Sequence, residues 1–290
     1  MKKGITKILS ACVFAFVVFL AAGTQSKAAV NMGVKQTGAG SSYVDLAWDA
    51  QLGAGHYHTQ FSQDGKNWID MDNSSSPSES VYNLTQGASY YARVVAYKGS
   101  HYTGTHVMIG VSETAIVSTK PTEVSGLTQT AAGVNSVSMS WNASAGAASY
   151  VIYGYINYNW TQIGTSATNS ATITGVAATT STRFSVAAVK NVTGGTVTGD
   201  QCSGVEMKAI PIKVSRIAMQ YYWDSLKEAK YIWTDVNNAD GYQYEVKSAN
   251  GKKTYFRATS TNSYTYVKPF PRGIFVKARV RAYVTVGNKV

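Results

Sequence analysis

Short stretches of the chain alternate between apolar and polar positions, and the clearest of them is LTQGASYYARVVAY, residues 84–97. Successive side chains of a β-strand point to opposite faces, so this stretch predicts a strand with one buried face. The positions expected to face a core are Tyr90, Ala92, Val94 and Ala96. The positions expected to face outward are Tyr91, Arg93, Val95 and Tyr97. A shift of one residue would bury Arg93, so the register of this strand is well specified.

The same pattern recurs in two further parts of the chain. A tryptophan ends each of the runs YVDLAW, SVSMSW and AKYIW, and a tyrosine follows each tryptophan nine residues later. These pairs are Trp48 and Tyr57, Trp141 and Tyr150, and Trp233 and Tyr242. Alternating strands recur at residues 182–188 and 276–282, at matching offsets from the tryptophans. These three tryptophans are 93 and 92 residues apart, which is the length of a domain rather than of a solenoid repeat.

Each copy contains short alternating runs separated by clusters of Gly, Asn, Asp and Ser, which predicts about seven strands in a β-sandwich. The repeated Trp and Tyr, together with the Leu84 and Tyr90 pair of copy one, resemble the fibronectin type III family from about residue 30 to residue 290. The resemblance implies an all-β fold of three tandem immunoglobulin-like sandwiches, with the Tyr90 hydroxyl bound to the backbone at the turn into the sixth strand. Copies two and three depart from it, with Thr182 and Val276 at the Tyr90 position.

The predicted organisation is a signal peptide followed by three such domains, at residues 1–28, 29–120, 121–209 and 210–290. Three early lysines precede an apolar run, Ile8 to Ala22, which is too short for a comfortable membrane span. The small residues before the break after Ala28 suit a signal peptidase, and a retained N-terminal anchor is the alternative. We therefore expect a secreted or extracellular protein with no membrane span after cleavage.

The third copy is expected to be incomplete at its C-terminal side. Eight residues follow Ala282, too few for a turn and a full seventh strand. The linkers near Pro121 and Pro211 are short, which predicts limited hinge freedom between the copies. Only Cys202 would remain after cleavage, so we expect no intramolecular disulfide and a small buried thiol on a strand.

Motifs for catalysis are absent from the sequence: there is no nucleophile elbow, no phosphate loop and no zinc-binding spacing. Asp70 and Asp72 alternate on one strand, which is typical of a solvated face rather than of a carboxylate pair flanking a cleft. We therefore expect no enzyme activity and no cofactor.

All four histidines belong to copy one: His56, His58, His101 and His106. We expect them to be exposed, with the first two separated from the last two by the sixth strand, roughly 9 to 10 Å apart. That separation predicts no metal site, because one ion needs its ligands close together.

Two surfaces are candidates for binding. In SYVIYGYINYNW of copy two, Tyr153, Tyr155 and Tyr158 are expected to lie outside the sheet, where sugar rings or partner proteins could stack on them. Trp160 corresponds to Trp68 of copy one, which favours a structural role for it.

The distribution of charge along the chain indicates the second candidate binding surface. Residues 29–120 contain five basic and seven acidic residues, residues 121–212 three of each, and residues 213–290 fourteen basic and five acidic. The cations predicted to share one outer face of copy three are Lys247, Lys252, Lys253, Arg257, Lys277, Arg279 and Arg281. Such a row could bind cell-wall anionic polymers, acidic glycans or nucleic acid without sequence specificity. The alternative is that these charges keep an exposed strand edge from pairing.

The signal segment and the low cysteine count resemble those of bacterial exported proteins. We therefore expect a secreted, non-enzymatic adhesion or spacer module that binds glycans, wall polymers or extracellular proteins, with its mode of surface attachment left open. The second hypothesis makes the three copies the accessory region of a larger secreted carbohydrate-degrading enzyme. Proteins of both kinds use this fold, so the fold does not choose between them.

Overall fold

A computed structural model describes residues 29–99, 106–178, 180–252, 254–270, 273 and 275–287. The predicted signal peptide, His101 and Lys253 lie outside these residues. Within the described ranges all the regular secondary structure is β-strand, and the strands form three pairs of sheets. No helix of this part of the chain is long and apolar enough to cross a membrane.

The first sandwich contains nine strands in two sheets. They are β1 (Ala29–Val30), β2 (Lys35–Ala39), β3 (Val44–Ala47), β4 (His56–Ser62), β5 (Ile69–Ser74), β6 (Ser78–Val81), β7 (Ser89–Lys98), β8 (Val107–Ser112) and β9 (Ala115–Ser118). One sheet has the order β2-β3-β6, and the other has the order β1-β8-β7-β4-β5. β8 and β9 pair with successive parts of β7, so the last long strand is broken in the middle.

The second sandwich repeats this plan. Its strands are β10 (Thr128–Gly133), β11 (Ser136–Ser140), β12 (Ser149–Ile156), β13 (Asn159–Ser166), β14 (Ser170–Thr174), β15 (Thr182–Val192), β16 (Gly195–Thr198) and β17 (Val205–Met207). One sheet has the order β10-β11-β14, and the other has the order β13-β12-β15-β16 with β17 also paired to β15.

The third sandwich contains β18 (Ile217–Trp223), β19 (Glu228–Trp233), β20 (Gly241–Ser248), β21 (Thr254–Ser260), β22 (Tyr264–Val267) and β23 (Val276–Tyr283). Its sheets have the orders β18-β19-β22 and β21-β20-β23. Among the described residues β23 pairs only with β20, along the whole length of both strands. The expected incompleteness of this copy stays a prediction.

Apart from the two-residue β1, which pairs in parallel with β8, the strands of each unit follow one plan. Counted from β2, β10 and β18, the first, second and fifth strands form one sheet, and the third, fourth and sixth belong to the other. This is the two-sheet antiparallel sandwich that the sequence predicted, and the all-β fold of three tandem fibronectin type III-like units is confirmed. Pro121 and Pro211 lie in irregular segments several residues before β10 and β18, so neither of them begins a strand. The exact domain boundaries stay predictions.

The repeated tryptophan and tyrosine explain why one plan recurs. In each core the tyrosine ring packs at an angle against the tryptophan, with centroids 5.4, 5.3 and 5.4 Å apart. Each tyrosine hydroxyl also accepts a hydrogen bond from a backbone N–H six residues earlier in the chain. These bonds are Gln51 N to Tyr57, Ser144 N to Tyr150 and Val236 N to Tyr242, at 3.0, 3.0 and 2.8 Å. Each tyrosine thus fastens the loop before the third strand onto the core.

The strand at residues 84–97 lies as its alternation predicts, with Tyr90, Ala92, Val94 and Ala96 buried. The Tyr90 hydroxyl accepts a hydrogen bond from Thr85 N at 3.0 Å, which confirms its expected bond to the backbone at this turn. Val95 departs from the expectation, because it is only 3% exposed although it lies on the outer side. Its cross-strand neighbours there are His58 and Val111, on the strands that flank it on both sides.

Contacts between the sandwiches agree with limited hinge freedom. Thr193, at the tip of the β15–β16 hairpin, donates from its N–H to Ile116 O at 2.8 Å and accepts from Ile116 N at 2.7 Å. The buried Lys190 ammonium donates to Gly87 O, and burial lowers the pKa of this lysine. The second and third sandwiches are joined by Lys208 and Asp240, with Nζ and Oδ1 2.5 Å apart.

Candidate functional site

The outer face of the sheet β21-β20-β23 carries a grid of charged side chains, which we call the basic face. Alternation on β23 packs Val276, Ala278, Val280 and Ala282 against the core. Cross-strand pairing sets Arg279 opposite Glu245, and Glu245 opposite Arg257, in one row across three strands. Adjacent rows on β20 and β23 pair Gln243 with Arg281 and Lys247 with Lys277. The basic face therefore consists of Lys247, Arg257, Lys277, Arg279 and Arg281, with Glu245 and Gln243 between them.

Glu245 lies beneath these cations and binds the arginines on both sides of it. Its side chain is only 5% exposed. Its Oε1 accepts two hydrogen bonds from Arg257, its Oε2 accepts one from Arg279 Nε at 2.6 Å, and Lys247 Nζ lies 3.4 Å from Oε1. Burial favours the neutral carboxyl, but hydrogen bonds and charge from the two arginines outweigh it and lower the pKa of Glu245 to about 2.

Arg279 and Arg281 are held through Nε, and Arg257 is held through Nε and Nη2, while the side chains remain accessible. The side chains of Arg257 and Arg279 are 67% and 73% exposed. Arg281 donates from Nε to Gln243 Oε1 at 2.7 Å, which holds it in the same manner as Arg279. Arg257, Glu245, Gln243, Arg279 and Arg281 line a shallow depression of about 620 Å³. Five cations against one carboxylate give this face a net positive charge.

One predicted cation lies beyond the grid. Lys252 is exposed in the turn between β20 and β21, where its N–H donates to Asn250 Oδ1 at 3.0 Å. The structure therefore brings five of the seven predicted cations onto one face and leaves Lys252 at its end, while Lys253 lies outside the described residues.

The predicted tyrosines of copy two lie on another sandwich, away from these cations. Tyr158 is 90% exposed at the tip of the β12–β13 hairpin, and both tip residues, Asn157 and Tyr158, have positive φ. Such a turn matches the twist of a two-residue hairpin but is unfavourable for a tyrosine. Tyr155 packs its edge against Trp160, with centroids 5.3 Å apart, and Tyr153 is half-buried. Only the tip tyrosine is fully available to a ligand.

Trp68 and Trp160 hold corresponding places, as expected, but their contacts differ. The Trp68 ring lies under Arg93, with the guanidinium carbon 4.1 Å from the ring centroid, and Arg93 donates from Nε to Gln60 Oε1 at 2.8 Å. Trp160 is 37% exposed and contacts Tyr155 instead.

The expectation for the histidines was wrong in two respects. His56 is buried at 3% exposure, and the rings of His56 and His58 lie 5.3 and 6.2 Å from that of His106 rather than 9 to 10 Å away. The cause is Tyr97 on the strand between them, because its ring packs against all three histidines. Within the described residues no group of three His, Cys, Asp or Glu is arranged to hold a metal ion.

Cys202 is buried, as expected, but it lies between β16 and β17 rather than on a strand. Its Sγ accepts a hydrogen bond from Val186 N at 3.3 Å. In the first sandwich Ser112 Oγ accepts the corresponding bond from Val94 N at 2.9 Å. Both side chains accept a backbone N–H of the sixth strand at the point where the neighbouring strand is interrupted.

Asp70 and Asp72 are exposed, in keeping with a solvated face. Asp70 accepts a hydrogen bond from Gln60 Nε2 at 2.7 Å.

Sequence reasoning missed an exposed aromatic group on the other sheet of the third sandwich. Lys230 pairs with Tyr221 on one side and Tyr266 on the other. Trp223 and Tyr264 extend the group along the outer strands, and we call these five side chains the aromatic platform. Its signals were the runs QYYW at residues 220–223 and YTYV at residues 264–267. Tyr266 and Tyr264 alternate on one strand in the same manner as the cations of β23.

Comparisons with solved structures return tandem fibronectin type III segments. The FN1–FN3 domains of chicken CNTN1 match over 86% of this chain and 92% of that one, at 16% identity and a TM-score of 0.33. A two-domain fibronectin type III segment of chicken tenascin matches over 61% and 97%, at 17% identity and a TM-score of 0.32. No family model matches the chain, and no curated protein matches it. We therefore assign the fold from the strand order and cores described above.

Proposed function

We propose that the chain is an exported, non-enzymatic adhesion and spacer module whose third sandwich binds an anionic polymer on the basic face. In this proposal residues 1–28 direct export, and the sandwiches at residues 29–120 and 121–209 hold the third one away from its attachment point. The observation that carries the proposal is the buried Glu245, which fixes Arg257 and Arg279 on either side of it.

The geometry suits a repeating anion. Alternate residues along a strand are roughly 6.5 to 7 Å apart, and neighbouring strands are about 4.8 Å apart. The cations therefore form an open grid around a shallow depression rather than an enclosed pocket. A chain with regularly spaced phosphates or carboxylates can contact several of them at once. Neutralising a polyanion in this way releases its counterions, which drives binding at low salt.

Fixed guanidinium groups bind better than mobile ones, because less side-chain freedom is lost on contact. Arg279 and Arg281 are each held through Nε, by Glu245 and Gln243 respectively. Guanidinium forks of this kind recognise phosphate and carboxylate groups.

Protection of an edge strand explains these charges less well. It accounts for cations on β23, which is an edge in the described part of the sheet. It does not account for Lys247 on the central strand β20, nor for a buried carboxylate that holds arginines from both flanking strands.

The test measures binding of the full chain to long-chain inorganic polyphosphate by calorimetry, at low and at moderate salt. Replacing Lys277, Arg279 and Arg281 with Ser should weaken binding by about tenfold or more. The matched control replaces three exposed lysines of the first sandwich, Lys35, Lys66 and Lys98, with Ser and should leave affinity nearly unchanged.

A second variant guards against misfolding of the first. Lys277→Ser with Arg281→Ser leaves both arginines of Glu245 in place, so the sheet keeps its buried ion pairs. This variant should still lose affinity, by a smaller factor. Equal loss in the control and in the basic-face variants would show that only total charge matters, and unchanged binding in both basic-face variants would rule this face out.

A further inference from the structure

The aromatic platform lies on the sheet β18-β19-β22, so it is separated from the basic face by the core of the third sandwich. Trp223, Tyr264 and Tyr266 are 40%, 41% and 43% exposed. Trp223 stacks nearly parallel to Tyr266, with centroids 6.4 Å apart, and its ring also contacts Tyr221 at 3.9 Å. Large aromatic side chains gathered on one exposed sheet face are unusual for a solvated surface.

A cation lies in the middle of these rings. Lys230 Nζ is 4.9 Å from the centroid of Tyr264, 5.6 Å from that of Tyr221 and 5.8 Å from that of Tyr266. These distances place the ammonium within cation–π range of three rings. Burial, a hydrogen bond with Tyr266 and the nearby charge of Glu228 raise the pKa of Tyr221 to about 12.

The other two sandwiches show that the fold does not require this platform. The row Tyr221, Lys230 and Tyr266 corresponds to Gly38, Asp45 and Ser80 in the first sandwich and to Ala131, Ser138 and Thr172 in the second. Each row lies next to the same irregularity between the first two strands. In those sandwiches short polar side chains bond to each other instead. Ser80 donates to Asp45 at 2.6 Å, and the hydroxyls of Ser138 and Thr172 lie 2.9 Å apart.

We propose that the aromatic platform is a second binding site, for an acidic polysaccharide whose sugar rings stack on Trp223, Tyr264 and Tyr266 while a carboxylate pairs with Lys230. The C–H faces of pyranose rings suit the electron-rich faces of aromatic side chains. Lys230 supplies a positive charge for a carboxylate of the polysaccharide, while the carboxylate of Glu228 lies opposite Trp223 at one end of the platform. This site goes beyond the proposed function, because it uses another sheet and another kind of contact.

A protein partner fits the platform less well. Hot spots of protein interfaces insert side chains into well-packed pockets. The platform is a flat sheet face with tyrosine hydroxyls and an ammonium among its rings, which offers stacking area and hydrogen bonds at the surface. Extended sugar chains use both at once.

The test uses the full chain in the Lys277, Arg279, Arg281→Ser background, in which binding through the basic face is weakened. The probes are polygalacturonate and its methyl ester, which differ in charge on the same sugar backbone. Calorimetry should show that this background binds polygalacturonate more tightly than the ester. Tyr264→Ser with Tyr266→Ser should weaken polygalacturonate binding at least about tenfold, because stacking is lost. Lys230→Gln should reduce it to the level of the ester.

The matched control is Ser138→Ala with Thr172→Ala, which changes the same row of the second sandwich and should leave binding unchanged. Thermal melting of each variant checks that the third sandwich stays folded, and Lys230→Gln keeps the rings in place if the double tyrosine variant does not fold. Binding that survives both the ring and the lysine variants would overturn the proposal, as would no binding of polygalacturonate or concentration-dependent dimerisation that those variants abolish. The polyphosphate experiment on the basic face is scored separately, so either site can fail without the other.

Discussion

Arg279 donates from Nε to Oε2 of the buried Glu245 at 2.6 Å, and this bond links the sixth strand of the third sandwich to the third strand. Arg257 binds the other carboxylate oxygen from the opposite side. A buried carboxylate that lacked these partners would be costly, so the arginines and Glu245 depend on one another. The result is an ordered cationic surface on a sheet whose other face is the core.

The Glu245 pairs make the third sandwich sensitive to acid. The pKa of Glu245 falls from an ordinary value of 4.5 to about 2 in the folded chain. A carboxyl whose pKa is lowered on folding stabilises the fold above its ordinary pKa, and this contribution is lost as pH falls through the folded value. We expect the third sandwich to lose stability as pH falls from about 4.5 to about 2. NMR of core amides in this sandwich measures the loss. In Glu245→Gln this pH dependence should be reduced, and a wild-type pH profile in that variant would contradict the assignment.

The position of Cys202 should tolerate replacement by serine but not by valine. Ser112 occupies the same place in the first sandwich and accepts the corresponding backbone hydrogen bond. Cys202→Ser should therefore keep the exchange protection of the Val186 amide. Cys202→Val removes the acceptor from a buried N–H and should cost roughly 1 to 3 kcal/mol. Hydrogen exchange at Val186 measures both, and equal protection in the two variants would show that the thiol acts through packing alone.

The tip of the β12–β13 hairpin stores unfavourable backbone geometry. Tyr158 has a φ of 64°, a conformation that glycine adopts without strain. Tyr158→Gly should therefore raise the stability of the second sandwich by roughly 1 kcal/mol. Urea unfolding gives the change, with Tyr155→Gly as a control that should destabilise because it lies within a strand. A destabilised Tyr158→Gly variant would mean that the tyrosine side chain packs in a way that offsets the strain.

The middle copy should fold alone. Residues 121–209 contain both sheets of the second sandwich and its core, including Trp141, Tyr150 and Cys202. The contacts made by Thr193 and Lys190 with the first sandwich lie at the surface of that unit and are absent from its core. Circular dichroism of this fragment should show a β-rich fold with cooperative melting, and a disordered fragment would show that the boundaries are misplaced.

Much of the fold could be predicted because local pattern and tertiary packing agree. The inward set of the strand at residues 84–97, the Trp and Tyr pairs and the outward cations of β23 all follow from period-two alternation. The histidine cluster could not be predicted, because the path of β8 beside Tyr97 depends on a long-range strand pairing. The burial of Glu245 depends on arginines from two other strands, and the aromatic platform depends on three strands that are distant in sequence. Alternation gives the face of a residue, and only pairing gives its neighbours.

The most direct test of the central claim is the salt dependence of binding to single-stranded oligothymidylate, which serves as a uniform polyanion. For single strands the logarithm of the binding constant falls with the logarithm of salt concentration by about 0.7 for each phosphate neutralised. If Lys277, Arg279 and Arg281 each contact a phosphate, their replacement with Ser should reduce the magnitude of this slope by about 2. An unchanged slope, with the third sandwich folded, would contradict the claim that the basic face binds anionic polymers.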